Sequence, residues 1–204
     1  MFTGLIEQIG TVSGLEQREF GLRFSVHCLG WSELPKLGAS IAISGCCLTV
    51  VTASHSTNGI ELEFDIVQES IQCTNLGSMK PGDSINIEQS LIANSRIGGH
   101  FVQGHIDCVE QVIQHEVLKN GDHRLRLSME SIDVDTVISK GSITIDGVAL
   151  TIAKVDQEWF EVVLIPTTLK ETTLRFLEQG DSVNIETDIL IRTVAQVVRR
   201  MRQT

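Results

Sequence analysis

No stretch of the 204-residue chain approaches the roughly 20 consecutive apolar residues that a membrane-spanning helix needs. The opening MFTGLIEQIG has neither a basic start nor an apolar signal core. The expectation is a soluble protein that is not exported and has no membrane partner. Positive charge is also scarce: 16 Lys and Arg stand against 26 Asp and Glu, a formal net charge of −10. A phosphate backbone would be repelled rather than neutralised, so nucleic acid is not expected as a partner. The five cysteines include no Cys-x-x-Cys pair, and the one close pair, Cys46-Cys47, is adjacent in sequence. Adjacency suits neither an ordinary disulfide nor a zinc site. They read as free thiols of a reducing compartment, and the expected location is cytoplasmic. Also absent are a phosphate-binding Gly-rich loop with its Lys, a Gly-x-Ser-x-Gly elbow, a His-Glu-x-x-His pair and a dinucleotide fingerprint, so nothing announces a kinase, hydrolase or dehydrogenase.

What is present is β-rich. Only three prolines occur, while 17 glycines punctuate short runs of Val, Ile, Leu and Thr, the pattern of many short strands joined by tight turns. Candidate hairpin turns fall at Ser44-Gly45, Asn58-Gly59, Asn120-Gly121 and Asp146-Gly147, each placing Gly or Asn where positive φ is needed. The stretches Glu69–Leu76 and Thr167–Leu177 lack alternation and read as short helices.

The strongest internal signal is a duplication. Gly82–Glu88 (GDSINIE) recurs as Gly180–Glu186 (GDSVNIE), and Gly45-Cys-Cys-Leu-Thr49 matches Gly147-Val-Ala-Leu-Thr151. Thr74-Asn-Leu aligns with Thr172-Thr-Leu, and Thr3-Gly4-Leu5-Ile6-Glu7 aligns loosely with Gln103-Gly104-His105-Ile106-Asp107. The spacing of roughly 100 residues exceeds the 20–50 of solenoid repeats, which points to two domains rather than an array. Each half is expected to close into a small antiparallel barrel, which removes sheet edges. Residues 1–97 and 98–187 form the two expected barrels, and 188–204 a terminal helix. In that helix Ile191, Val194, Val198 and Met201 make a heptad-like apolar stripe, with Arg192, Arg199, Arg200 and Arg202 off it. One helix cannot bury its own stripe; it either folds back on a barrel or packs against other copies.

Few residues advertise chemistry. His100 and His105 are five apart, and on a strand they would point to opposite faces, so no metal site is expected. Cys46 and Cys47 should likewise alternate, one into a barrel and one outward. Asp146 occupies the same duplicated loop as Ser44, and Thr49 and Thr151 stand at equal positions in the two copies. Two equivalent pockets on one chain would bind two similar small molecules. From the residues alone, this is a twin-barrel, small-molecule-binding, oligomeric protein.

A resemblance adds the reaction. Met1-Phe2-Thr3-Gly4, Gly45-Cys-Cys-Leu-Thr49, the run Glu69 to Leu76, Ile97-Gly-Gly-His100, Gly104-His-Ile106, Lys140-Gly141, Asp146-Gly-x-x-Leu-Thr151 and Leu164-Ile-Pro166, in that order along nearly the whole chain, closely resemble the riboflavin synthase family of the alpha-chain type. The resemblance implies an all-β fold of tandem duplicated six-stranded antiparallel Greek-key barrels plus a C-terminal α-helix that helps to hold a homotrimer. It implies a transferase that dismutates two 6,7-dimethyl-8-ribityllumazine molecules. One donates a four-carbon unit to the other, giving riboflavin and 5-amino-6-(D-ribitylamino)uracil, the final step of riboflavin biosynthesis. No cofactor and no metal are implied. One lumazine would sit on an N-terminal barrel and one on the C-terminal barrel of a neighbouring subunit, and lumazine synthase is a further partner to look for. The alternative is a non-catalytic lumazine- or flavin-binding protein of the same fold, against which both barrels here retain their polar loops.

Carried over by position, the N-barrel pocket would comprise Gly4, Leu5 and Ile6 with Cys47, Leu48, Thr49, Asp65, Ile66, Val67, Gln68, Glu69 and Ser70. The C-barrel pocket would comprise Gly104, His105 and Ile106 with Lys140, Ala149, Leu150, Thr151, Ile165, Pro166, Thr167, Thr168, Leu169 and Lys170. The resemblance makes Cys47, His105 and Asp146 the candidates for catalytic proton transfer or polar contact. Ala149 stands where the family usually has Ser, so that position cannot supply an essential acid or base here.

Overall fold

The computed structural model describes residues 1–31 and 33–203; the last residue of the expected terminal helix segment, Thr204, lies outside them. The first barrel is built from β1 (Gln8–Arg18), β2 (Gly21–Cys28), β3 (Ser40–Ile43), β4 (Cys46–Ser56), β5 (Gly59–Val67) and β6 (Ser84–Gln89). It closes in the order β1-β2-β5-β4-β3-β6. The second uses β7 (Cys108–Val117), β8 (His123–Ser128), β9 (Ser142–Ile145), β10 (Val148–Val155), β11 (Trp159–Leu164) and β12 (Ser182–Thr187), and closes in the corresponding order, β7-β8-β11-β10-β9-β12. Strict alternation drives the closure. On β5, Ile60, Leu62, Phe64 and Ile66 turn into the barrel while Glu61, Glu63 and Asp65 turn out. Each barrel has its own apolar core, one around Phe24 and Phe64 and the other around Phe160.

The Ser44-Gly45 and Asp146-Gly147 turns have positive φ at both central residues, 42° and 84° in one, 45° and 79° in the other, the twist a two-residue hairpin requires. The expected helices are each two pieces. α1 (Gln68–Cys73) and a 3-10 turn (Asn75–Ser78) meet at Thr74, and α2 (Pro166–Glu171) and a 3-10 turn (Thr173–Phe176) meet at Thr172. Both threonines are extended, with φ near −131° and −132°. Each hydroxyl donates back to a helix carbonyl and accepts the N–H of the following turn, the local competition that ends one helical piece and starts another.

The barrels meet across a pseudo-two-fold axis at these two turns. A Cβ on Gly45 would lie 2.7 Å from the Gly147 nitrogen, and one on Gly147 would lie 2.7 Å from the Gly45 nitrogen, so only glycine permits the approach. Asn86 Nδ2 donates to the Asp146 carbonyl and Asn184 Nδ2 to the Ser44 carbonyl. Their side-chain oxygens accept from Thr173 N and Asn75 N.

α3 (Ile189–Arg202) is capped by the Asp188 side chain, which accepts from Leu190 N. The helix returns to the second barrel through charge: Arg192 bonds Asp107 and Gln103, and Arg199 forks onto Asp133 and Asp135. Val194, Val198 and Met201 of the stripe remain exposed, at 63%, 39% and 72%.

Candidate functional site

The β4–β5 ladder runs from Ser56 opposite Gly59 to Val50 opposite Phe64. Nearer the turn, Cys46–Thr49 pair with β3 instead. Where the ladder stops, the outward side chains are half-buried Cys47 and Asp65 and exposed Thr49 and Val67. α1 opens directly after Val67, with exposed Gln68 and Glu69 and half-buried Ser70. The second barrel repeats this: the β10–β11 ladder ends at Ile152 opposite Val162, leaving Ala149, Thr151 and Ile165 outward ahead of α2. Lys140, in a left-handed conformation at φ 67°, ties this region from the side through its N–H to Ile152 O. Leu48, Ile66, Leu150 and Leu169 face the cores, so only their main chains can meet a ligand. Pro166, Thr167 and Lys170 are exposed and Thr168 is half-buried.

The expected grouping of the remaining residues is corrected. Gly4, Leu5 and Ile6 do not join Cys47. The Gly4 carbonyl accepts from Ala149 N, a Cβ on Gly4 would lie 2.5 Å from the Ala149 Cβ, and Ile6 packs on the core of the second barrel. Conversely Gly104, His105 and Ile106 do not join Ala149. The Gly104 carbonyl accepts from Cys47 N at 2.8 Å, and Ile106 packs on the core of the first barrel. The two connecting segments thus exchange barrels, held together by a bridge between Phe2 and Val102. The physical reason is the axis itself: the close Gly45–Gly147 contact brings each β-turn against the other barrel's entry segment, so each segment completes its neighbour's wall.

The exchange sorts the chemistry. Cys47 and exposed His105 lie on the same wall, whereas the equivalent positions of the other wall carry Ala149 and Leu5, 51% exposed. Cys46 points into the first barrel, where burial pushes its thiol up to about 12, so it is an inert core residue while Cys47 lies on the outward face. Asp65 is fixed by a bidentate pair with Arg23, 2.5 Å from Nε and 3.2 Å from Nη2.

Asp146 lies in the turn on the axis. It is 5% exposed, accepts from Asn184 N at 2.9 Å, and burial pushes its carboxyl up to about 7. It lines a cleft of about 590 Å³ between the barrels, together with Ser44, Asn75 and Thr173.

Two residues escape a sequence reading. Glu88 and Glu186 are 4% and 1% exposed, and they anchor the exchanged segments. Glu88 accepts from Thr3 N, Thr3 Oγ1 and Gly4 N; Glu186 accepts from Gln103, Gly104 and His105 N. The legible signal was the repeat itself, since a charged residue closes GDSINIE and GDSVNIE at the same place, after an inward apolar position.

The comparisons with known proteins agree with this architecture. The lumazine-binding domain model matches twice, over residues 3–90 and 103–188. Riboflavin synthase of Mycobacterium tuberculosis is 35% identical over 202 residues, covering 98% of each chain. Riboflavin synthase of Actinobacillus pleuropneumoniae is 37% identical over 198 residues, 96% of this chain and 89% of its own. That of Bacillus subtilis is 35% identical over 190 residues, 93% and 86%. Among solved structures, LumP complexed with 6,7-dimethyl-8-(1'-D-ribityl) lumazine superposes with a TM-score of 0.78 at 22% identity, over 92% of this chain and 99% of its own, which establishes the shared fold. Full-length identity above a third, two lumazine-binding domains and two closed barrels carry one conclusion: this chain belongs to the riboflavin synthase family.

Proposed function

We propose that the two walls are the two substrate sites of a riboflavin-forming dismutation, each holding one 6,7-dimethyl-8-ribityllumazine. The observation that carries this is the pseudo-two-fold repetition of one wall, ladder end plus exchanged segment plus short helix, on both barrels of one chain. Two like sites suit a reaction whose two substrates are identical. The first site comprises Cys47, Thr49, the Asp65–Ser70 stretch and Gly104–Ile106. The second comprises Gly4–Ile6, Lys140, Ala149, Thr151 and the Ile165–Lys170 stretch. Main-chain groups at the ladder ends can pair with the pyrimidinedione edge, and Thr49, Thr151 and Asp65 can hold ribityl hydroxyls.

A methyl group on this heterocycle is acidic because its anion is delocalised over the ring. The chain's main contribution is alignment of two bound molecules, for which effective molarities supply roughly 7–11 kcal/mol in favourable cases. Cys47 and His105 are the proton-transfer groups, for about 10²–10⁴-fold more. Asp146, in the axis turn with its carboxylate held by Asn184 N and Asn75 Nδ2, acts as a positioning residue for the strand that carries Ala149 and Thr151.

The functional units are residues 1–97, 98–187 and 188–204, and the protein works in the cytoplasm as a homotrimer. The exposed stripe of α3 supports the trimer: Val194 and Val198 present apolar surface that a neighbouring copy can cover. Unlike barrels of neighbouring subunits then face each other head to tail, and lumazine synthase is a candidate partner of the assembled trimer. Incubation with 6,7-dimethyl-8-ribityllumazine alone tests the reading. Riboflavin should form at one molecule per two lumazines consumed, without added metal or nucleotide. Bound but unconverted lumazine would instead establish the non-catalytic alternative.

A further inference from the structure

We propose that Glu88 and Glu186 are positioning residues whose effect is crossed: each glutamate, standing in one barrel, controls the lumazine site on the other. The inference rests on the site assignment above and goes one step deeper.

Glu186 belongs to β12 of the second barrel. Its carboxylate gathers three successive main-chain N–H groups, those of Gln103 at 2.7 Å, Gly104 at 2.8 Å and His105 at 3.0 Å. Three donors converging on one carboxylate fix the orientation of the segment. The segment's outgoing group is the Gly104 carbonyl, which accepts from Cys47 N in the first barrel at 2.8 Å. Glu186 therefore sets where His105 stands relative to Cys47, although it belongs to the opposite barrel.

Glu88 on β6 of the first barrel repeats the arrangement. It takes Thr3 N at 2.6 Å, Thr3 Oγ1 at 2.7 Å and Gly4 N at 3.0 Å. The Gly4 carbonyl passes the constraint to Ala149 N in the second barrel. Burial pushes the Glu186 carboxyl up to about 7 and the Glu88 carboxyl also upward. An apolar side chain at either place would avoid that desolvation, but it would leave buried N–H groups unpaired. A buried carboxylate at the same position in both copies is thus explained by the segments it holds.

Glutamate to glutamine is the discriminating change, because it keeps the shape and turns one of the two accepting oxygens into a donor. The reporter is a thiol in each wall. With exposed Cys73 replaced (Cys73→Ser), Cys47 is the accessible thiol, since Cys28, Cys46 and Cys108 are buried. Ala149→Cys in a Cys47→Ser, Cys73→Ser chain places the equivalent reporter on the other wall. Alkylation by iodoacetamide is followed by peptide mass spectrometry at increasing 6,7-dimethyl-8-ribityllumazine.

Glu186→Gln should raise the lumazine concentration that half-protects Cys47 by about tenfold or more and leave protection of the thiol introduced on the other wall within about twofold. Glu88→Gln should do the reverse. If each variant damages the site on its own barrel, or both damage both sites equally, the crossed role is refuted. Glu186→Asp and Glu88→Asp, which keep the charge on a shorter arm, should give the same crossed pattern more weakly and serve if either glutamine variant fails to fold. Failure of lumazine to protect Cys47 in the parent chain would refute the site assignment itself, a different outcome from protection that does not cross.

Discussion

Replacing Asp146 by Asn should flatten the pH dependence of stability. In the folded chain Asp146 is 5% exposed, and burial raises its carboxyl from 3.8 to about 7. A raised acid binds its proton more tightly folded than unfolded. Its contribution therefore stabilises below the unfolded value, near 4, and is lost as pH rises toward 7, after which it changes no further. Across that window each pH unit is worth about 1.4 kcal/mol, so between pH 5 and pH 8 this one group should lower stability by roughly 2–3 kcal/mol. The asparagine side chain of Asp146→Asn keeps an oxygen to accept the Asn184 N–H, which now lies 2.9 Å from Oδ1 of Asp146, and carries no charge to desolvate. Urea unfolding at pH 5 and pH 8, at one protein concentration and read by the fluorescence of Trp31 and Trp159, measures the difference. The parent should lose roughly 2–3 kcal/mol more than Asp146→Asn across that interval. Part of the slope should remain in the variant, because Glu186 is raised to about 7 by the same cause. Asp146→Ala should instead be destabilised at both pH values by about 1–3 kcal/mol, since it strands the buried Asn184 N–H. Superposable pH profiles for the parent and Asp146→Asn would refute the argument. Riboflavin formation by Asp146→Asn should stay within about tenfold of the parent if the residue positions rather than transfers a proton.

Gly104→Ala should cut riboflavin formation by about a hundredfold: φ is 79°, and the new Cβ would lie 2.5 Å from the Cys47 Cβ and 2.9 Å from its nitrogen, so the His105 segment must move off the wall. Ala149→Ser should be tolerated; a loss above tenfold, roughly 1.4 kcal/mol in transition-state stabilisation, would instead show a wall repacked around Ala. Val194→Asp with Val198→Asp should shift the sedimenting mass from trimer to monomer, because it places charges in an apolar seam; an unchanged trimer would mean that the seam lies elsewhere. Activity should survive EDTA, and loss restored by a divalent ion would overturn the metal-free reading.

The barrels were legible because their information is periodic. The strict alternation of GIELEFDIV and the repeated GDS-x-NIE and Gly-x-x-Leu-Thr stretches carry strand, turn and duplication without any long-range knowledge. The breaks at Thr74 and Thr172 were not legible as breaks, because a threonine inside a helical stretch shows its competing backbone bonds only once the chain is folded. The grouping of the walls failed for a different reason. Residues 4–6 precede the first barrel and residues 104–106 precede the second, so proximity along the chain assigned each to the barrel that follows it. What overrides that assignment is a set of contacts between stretches about 100 residues apart, Gly45 against Gly147, Phe2 against Val102, Gly4 against Ala149 and Gly104 against Cys47, and no local pattern reports contacts of that range. Sequence separation likewise hid the roles of Glu88 and Glu186, whose partners are 85 and 83 residues away.

The exchange of segments also bears on how a symmetric scaffold treats two identical molecules differently. Without exchange, the polar residues would divide between the barrels, Cys47 with Leu5 in one and His105 with Ala149 in the other. With it, the thiol and the imidazole share one wall and the methyl and isobutyl groups share the other. Two lumazines bound in the same way against the same main-chain frame would then meet a thiol and an imidazole in one case and a methyl and an isobutyl group at the same two places in the other. A dismutation can use that inequality, since one molecule must give up four carbons and the other accept them. Duplication supplies the matching geometry, and under the site assignment proposed above the divergence at the Cys47/Ala149 and Leu5/His105 pairs would supply the difference. Both divergences act on the same side of the reaction only because the connecting segments cross. A chain in which Leu5→His and His105→Leu are combined would keep the composition and separate the two groups, so its riboflavin formation should fall while its lumazine binding persists.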